Sequence, residues 1–544
     1  QGGMPVPMKR ANYRAPREHR RALIVPRPAD LPDVIRRNRR LLAGYDFRVL
    51  GRDIQTLRRS ARRTFLAIPY HCTKRLDPYV REPDPAAPIV LTGHQPELYH
   101  PGVWLKNFLA GHLATAVDGV AVNLNVDNDE AHQVTMKAPV MEHGRVRVVE
   151  AAYLEPTGGL PYEELRASHL KHDPVSELRR QGVTPSLCDA AEDYWHGIGL
   201  PRVLGETYAR IVTCARHRLE RRYGLENLEA LVSDVARSDE YRVFILDILS
   251  NVERFHACHN GGLAVFRAVH HEKNAAQPVP DLGREAGRWE LPFWGWRAGQ
   301  RRQRLWCDEA GSSLRLFMDG QERPFAEIGR WQLAAGGEEA ATTLASIEDG
   351  GIRIRPRALT LTLFARVFVG DLFVHGLGGA IYDKVTEEIV RTYYGVEPPE
   401  AVMATGTMLL PVQTHDATQA DRDALVRRLR DVRHNPERLL PPSVLSRPEV
   451  QWLVQEKQLL LSGRGATRQE RSDRWHRLHE VNVELAGRLE GEPEATRRRL
   501  DVVTDQLAQN AVLRHREYSF VLHPRDELVE FYREATAVPR EVVP

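Results

Sequence analysis

Short apolar runs alternate along this chain with longer stretches whose apolar residues recur every three or four positions. Ile89-Val90-Leu91 is one such run, and it breaks at Thr92-Gly93-His94-Gln95-Pro96. Apolar residues return at helical spacing at Val103, Leu105, Phe108, Leu109, Leu113 and Ala116, and Gly119 stops them. Val120-Ala121-Val122-Asn123-Leu124 then reads as a second strand running into Asp127, Asp129 and Glu130. Strand, polar loop, helix and strand within about 40 residues make a βαβ unit, the smallest piece of a parallel sheet. The carboxyl ends of such strands are where ligands bind, so residues 89–133 are the expected site.

A related pattern recurs at 352–399. A helical run over 358–368 leads to the short strand Asp371-Leu372-Phe373-Val374, then to His375-Gly376-Leu377-Gly378-Gly379. A helix follows with Ile381, Val385, Ile389 and Tyr393 on one face, closed by Gly395 and Pro398-Pro399. Strand, glycine-rich turn and helix point backbone N–H groups and the positive helix end at an anion.

The remaining pattern is mostly helical. Residues 8–85 read as a basic lead-in with helices near 34–45 and 54–65, bounded by the proline-rich 83–88. Residues 134–260 read as mainly helical, with periodic runs at 161–170, 202–223, 225–235 and 238–255. Residues 286–330 alternate and are rich in aromatics, including Trp289, Trp294, Trp296 and Trp306, which predicts a small antiparallel β insert. Trp475, Leu478, Asn482, Leu485 and Leu489, a turn at Gly491-Glu492-Pro493, then Leu500, Val503 and Leu507 predict an antiparallel helical hairpin or coiled coil. Residues 516–524 read as a strand-like return.

Composition narrows the function class. Of 544 residues, 42% are hydrophobic and 27% charged, as in an ordinary globular protein with a sizeable core. Lys and Arg number 76 against 73 Asp and Glu, a net charge of +3, so nothing points to nucleic acid as a partner. The five cysteines lack CxxC spacing, which fits a reducing cytoplasm and predicts neither a disulfide framework nor a cysteine zinc site. His256, His259, His270 and His271 fall short of a four-ligand zinc set, so no metal site is expected there. No apolar span of membrane length appears, so no membrane is expected.

The chemistry gathers at two polar turns. His94, Gln95, Glu97, His100 and Lys106 lie within thirteen residues. His100-Pro101-Gly102 at a helix start resembles part of the HxGH element of nucleotidyltransferases, although Val103 stands where the second histidine belongs and no KMSKS-like loop follows. After the second strand, Asn125, Asp127, Asn128, Asp129, Glu130 and His132 form a group able to bind an amine, orient a base or hold Mg²⁺.

Together these turns resemble the BshC family, the cysteine-adding enzymes of bacillithiol synthesis. The family's TGQQ turn before a lysine-bearing helix is matched by Thr92-Gly93-His94-Gln95 and Lys106. Its acidic EDHD run is matched by Asp127-Asn128-Asp129-Glu130, and its Arg-Pro element by Arg355-Pro356. Its GGPGEIAY turn is matched by residues 375–382, ending in Tyr382. The likeness covers 88–399 and, by architecture, the C-terminal helices. Three departures stand out: His94 replaces a glutamine, the acidic run lacks its histidine, and Gly379 replaces a glutamate.

The resemblance implies a Rossmann-like parallel-sheet core, in halves at 86–135 and 346–410. Helical and small β insertions fall at 136–345, a helical lead-in at 4–85, and a coiled-coil hairpin with a C-terminal return at 411–544. It also implies a homodimer through that hairpin, and condensation of an amino acid, cysteine in the family, with an amine such as an amino sugar derivative. On this reading the chain is a ligase-like enzyme of small-molecule biosynthesis, with ATP or ADP and Mg²⁺ as compatible cofactors. His94 and His100 would polarise or shuttle protons, Lys106 would hold an anion, and Asp127 and Asp129 would bind the amine. The turn of Gly376, Gly378 and Gly379 would accept a carboxylate or phosphate. Thr92, Gly93, Gln95, Glu97, Gly102, Asn125, Asn128, Glu130, Arg355, His375 and Tyr382 would line the substrates. The alternatives are a nucleotidyl or sugar-nucleotide transferase and a non-catalytic dimeric scaffold.

Overall fold

A computed structural model describes residues 8, 13–171, 173–199, 206–334, 337–464 and 467–538. They divide into two units, one of 1–140, 149–410 and 516–544, the other of 141–148 and 411–515. In the first unit come β1 (Arg21–Val25), α1 (Ile54–Leu76), β2 (Ile89–His94), α2 (Pro101–Ala116), β3 (Val120–Asn125), α3 (Tyr208–Arg222) and β4 (Leu228–Leu231). Then α4 (Val252–His270) precedes β5 (Arg288–Arg297), β6 (Gln303–Ala310), β7 (Ser313–Met318), β8 (Ala326–Gly329) and β9 (Ile352–Pro356). Finally α5 (Ala358–Phe364), β10 (Leu372–His375), α6 (Leu377–Ile389) and β11 (Val402–Thr407) return to the first sheet. The protein is mixed α/β.

The larger sheet runs in the order β1-β11-β10-β2-β3-β4. Every neighbouring pair is parallel except β1 with β11. The other sheet, β8-β7-β6-β5-β9, is antiparallel throughout. Its aromatic alternation delivers the expected small β insert.

Strand β2 is apolar on both faces because both faces are covered: Ile89, Val90 and Leu91 have no exposed surface. Helix α2 packs against β2, β3 and β11. It buries Trp104, Leu105, Phe108 and Leu109, each contributing roughly 1.5–3 kcal/mol of transfer free energy. His100 caps this helix, its Nδ1 accepting from Gly102 N at 3.0 Å, and Pro101 sits in the first turn where no N–H is needed. At the opposite end of the strands, Asp371 ties β2 to β10. It accepts from Ile89 N at 2.9 Å and pairs with Arg58 at 3.0 Å and Arg62 at 2.9 Å. With that end clamped, the carboxyl ends of β2 and β10 open side by side.

Two strands of the large sheet, β1 and β4, come from stretches that read as helical. Thr135–Glu142 and Arg145–Ala152 also pair as a ribbon. A two-residue turn joins them, with positive φ at His143 (50°) and Gly144 (75°), the geometry that suits a hairpin's twist. The helix expected over 202–223 is present from Tyr208, and residues 202–205 lie outside the described part. The C-terminal return is a single 3-10 turn, Phe520–Leu522, followed by the helix Arg525–Ala535. Phe520 donates its N–H to Tyr99 O at 2.8 Å and packs on Trp104, leaving no strand ladder for it to join.

In the second unit, α7 (Gln419–His434), α8 (Pro448–Ser462), α9 (Arg468–Ala486) and α10 (Glu492–Leu513) enclose Val432, Val450, Leu453, Val481, Leu485 and Leu489. The turn expected between the last two helices is there, with Gly491 at φ 79°. α10 packs mainly along α7, and α9 against α8.

Candidate functional site

A cavity of about 730 Å³ opens at the carboxyl ends of β2, β3 and β10. Strand order reverses between β2 and β10, and a crevice at such a reversal is where open α/β sheets bind ligands. The first polar turn supplies Gly93, His94, Gln95, His100, Gly102 and Lys106; the second supplies His375, Gly376, Gly378, Gly379 and Tyr382. They meet directly: a side chain at Gly376 would lie 3.9 Å from Lys106 Cδ, and one at Gly93 would touch Phe373.

Lys106 is the unusual group. It is 4% exposed, and its ammonium donates to Gly93 O at 2.6 Å with no carboxylate partner among the described residues. Burial, reinforced by Arg216, pushes it down to about 7, far below an ordinary lysine. It stands beside the start of α6, whose N-cap Gly376 makes no side-chain cap, so the first N–H groups of that helix face the cavity.

The other expected residues divide. His94 is buried with both ring nitrogens engaged, Nδ1 with Gln95 O at 3.0 Å and Nε2 with Tyr99 Oη at 3.2 Å. Burial, then Arg216 and Lys106, hold it well below its ordinary value, so it stays neutral. Gln95 donates to Asp129 at 2.9 Å, and Arg302 pairs with Asp129 at 2.6 Å and Glu130 at 3.2 Å. Asn128 lines the cavity, donating to Pro356 O while its Oδ1 has no hydrogen-bond partner among the described residues.

Asp127 faces elsewhere: it accepts from Ser233 N at 2.9 Å and Ser233 Oγ at 2.5 Å, and burial raises its carboxyl. Asn125 donates to Glu229 at 3.0 Å. Arg355, with no exposed surface, is held by Glu163 at 2.7 Å and Glu348 at 2.5 Å. Glu97 accepts from Tyr162 Oη at 2.6 Å, and Thr92 Oγ donates to Val374 O at 3.1 Å. These five support the walls without lining the cavity.

Gly102 is needed for close approach, since a side chain there would fall 2.2 Å from Gly406 O. That contact lets α2 start directly above β11, where Arg516 donates to Thr405 Oγ at 3.1 Å and Gly406 O at 2.9 Å.

Several lining residues had no local signal in the sequence. Trp294 lies between Arg302 and Arg357, whose guanidinium carbons stand 4.6 and 4.2 Å from its ring. His259, pushed down to about 4 by burial, and Arg516 also reach the cavity. Trp294 showed in the sequence only as part of an aromatic-rich β insert, His259 only within a histidine group short of a zinc set, and Arg357 only by its adjacency to Arg355-Pro356. Among the described residues no group of three His, Cys, Asp or Glu is placed to hold a metal ion. A second cavity of about 450 Å³ beside β4 is lined by Cys72, Cys214 and ion-paired Arg75 and Arg210, and holds none of the residues of the two turns. Comparison with protein-family models and with curated proteins returns no match for this chain.

Proposed function

We propose that the cavity joins the carboxyl group of a small amino acid, cysteine being the first candidate, to the amine of a small acceptor such as an amino sugar derivative. The observation that carries this reading is the buried Lys106 amine, unpaired with any carboxylate and set beside the uncapped start of α6. An anion is the missing partner of both. Support for a Rossmann-like core comes from the five parallel strands, which in chain order read 3-2-1-4-5 across the sheet with the cavity at the reversal. Support for BshC-like chemistry comes from the meeting of the Thr92–Gln95 turn, Lys106 and the 375–382 turn in one cavity.

In this reading the α6 N–H groups and Lys106 hold the acid's carboxylate or an activating phosphate. Asp129, shared between Gln95 and Arg302, faces the amine. A nucleoside triphosphate would supply the activation of the acid, and Lys106 with the Gly378 and Gly379 amides are the groups to receive its phosphates. The homodimer reading is supported by exposed Trp452, Leu459 and Trp475 on the C-terminal helices.

The test is a thermal-shift panel of amino acids, amino sugar acids, ATP, ADP and AMP on the full chain and on Lys106→Met. A carboxylate or phosphate ligand raises the midpoint by mass action. The rise is larger at pH 6 than at pH 9, because Lys106 loses its charge above about 7, and it vanishes in Lys106→Met. A shift by nucleotide alone favours the transferase. No shift from any ligand favours the scaffold.

A further inference from the structure

The proton-handling group of this cavity is expected in the first turn, yet both nitrogens of His94 are committed there. The second turn holds a histidine arranged otherwise. His375 ends β10 and lines the cavity, its ring stacked on Phe373 at 4.4 Å. Its Nε2 lies 3.1 Å from Asp383 Oδ2. Asp383 is buried on α6, eight residues along the chain, and is gripped by Arg366 from the π-helical turn Ala365–Val369 that follows α5. Burial alone would raise the Asp383 carboxyl, but Arg366 and His375 beside it hold it well below the usual range, so it stays ionised. The contact is at ion-pair distance without hydrogen-bond geometry, and the ionised carboxylate beside Nε2 favours the proton on that nitrogen, leaving the Nδ1 lone pair free.

Nδ1 itself meets no hydrogen-bonding partner among the described residues. It faces the first turn of α6, where a side chain at Gly379 would lie 3.2 Å away. The lack of a side chain at Gly379 therefore keeps this nitrogen unobstructed. A cavity-lining histidine with a carboxylate beside one nitrogen and no hydrogen-bonding partner at the other is an arrangement that general-base catalysis uses. His94, by contrast, has both nitrogens occupied.

We propose that His375 is the catalytic base of this cavity and that Asp383 and Arg366 are its positioning residues. The inference rests on the amide-forming reading. The acid enters as a mixed anhydride with phosphate. The amine nitrogen bonds to the acyl carbon, the acyl–oxygen bond breaks, and its electron pair leaves with the phosphate. The N–H proton released from the amine passes to His375 Nδ1, and Asp383 stabilises the resulting imidazolium.

Two experiments on the full chain separate the failure of this inference from the failure of the reading beneath it. The first uses diethyl pyrocarbonate, with the modified histidines mapped by peptide mass spectrometry. His375 is expected to be carbethoxylated while His94 is not, and Asp383→Asn is expected to slow labelling of His375 by about tenfold or more. An unlabelled His375, or one labelled equally fast in folded Asp383→Asn, overturns the proposal whatever the substrate. The second uses the amine and acid found by the ligand panel. His375→Gln is expected to lower kcat by about 10²–10⁴-fold with KM little changed, and imidazole to restore part of the rate to His375→Gly. Full turnover in His375→Gln overturns the base and leaves the ligase standing. A panel that yields no amine and acid pair removes the ligase, and labelling still decides whether an oriented, open base exists.

Discussion

Two polar clusters stand at the sheet, one at the α3 side and one in the cavity, and they differ in a single respect. Around α3, Arg216 pairs with Glu220 at 2.8 Å and Glu229 at 2.6 Å. Trp104, Asn107 and Asn123 donate to Glu220, and Asn123 and Asn125 donate to Glu229. Both carboxylates are thus saturated. In the cavity, among the described residues, Lys106 has a carbonyl and no acid, Asn128 Oδ1 has no hydrogen-bond partner, and His375 Nε2 has only its 3.1 Å ion-pair contact with Asp383. Both clusters are buried and carry perturbed ionisation, so perturbation alone does not distinguish a site from a scaffold. The pairing of the charged groups does: both carboxylates beside α3 are matched by Arg216, while the Lys106 ammonium in the cavity meets no carboxylate among the described residues.

Removing a charge tests that distinction through the sign of the effect. Arg216→Met strands Glu220 and Glu229 in the interior, and loss of one partner of a buried ion pair destabilises by roughly 3–5 kcal/mol. Urea unfolding is expected to show the midpoint falling accordingly, with no ligand needed to see it. A loss below 1 kcal/mol would mean that the cluster is not the closed scaffold its geometry describes.

Lys106→Met should behave in the opposite way, because it removes a buried charge that nothing compensates. The folded protein releases this proton above about 7, while an unfolded lysine keeps it to about 10.5. Across that window the unfolded state binds more protons, so wild-type stability rises with pH relative to Lys106→Met, by up to ~1.4 kcal/mol per pH unit. Parallel stability curves for the two proteins from pH 7 to 10 would show that Lys106 has a partner after all.

How far each cluster could be read from sequence follows from how it is built. The β2-α2-β3 unit was legible because a continuous apolar run, a Gly-His-Gln-Pro break and a helical repeat follow one another with nothing inserted. The 371–382 turn was legible for the same reason. β4 was not, since Leu228-Glu229-Ala230-Leu231 is too short to declare itself and owes its place to pairing with β3. The far wall of the cavity was hidden for a deeper reason. Trp294, Arg302, Arg357 and Arg516 come from three separate stretches, and only the antiparallel sheet and the Phe520 anchor bring them to one place. Asp127 misled in the other direction: it sits beside Asn128 and Asp129 in sequence, but turns toward Ser233.

Asp127 therefore gives the finest test of the contrast. Its carboxylate accepts both the N–H and the hydroxyl of Ser233 and touches no part of the cavity. Asp127→Asn keeps an oxygen for the Ser233 N–H, and its new NH₂ can donate to the Ser233 hydroxyl oxygen in place of the bond that hydroxyl donates to the carboxylate. The stability change is expected to stay within about 1 kcal/mol. Its pH dependence carries the sign. Burial raises the folded carboxyl above its unfolded value near 4, so between those values the folded state binds more protons and wild-type stability falls as pH rises. Asn lacks that titration, so the variant should gain on the wild type from about pH 4 upward and then run parallel above the folded value. This is the reverse of the Lys106 slope in the adjoining window. The same variant should keep the full thermal response to any cavity ligand. If Asp127→Asn instead abolishes that response at unchanged stability, Asp127 reaches the ligand and the boundary between scaffold and site must be redrawn to include it.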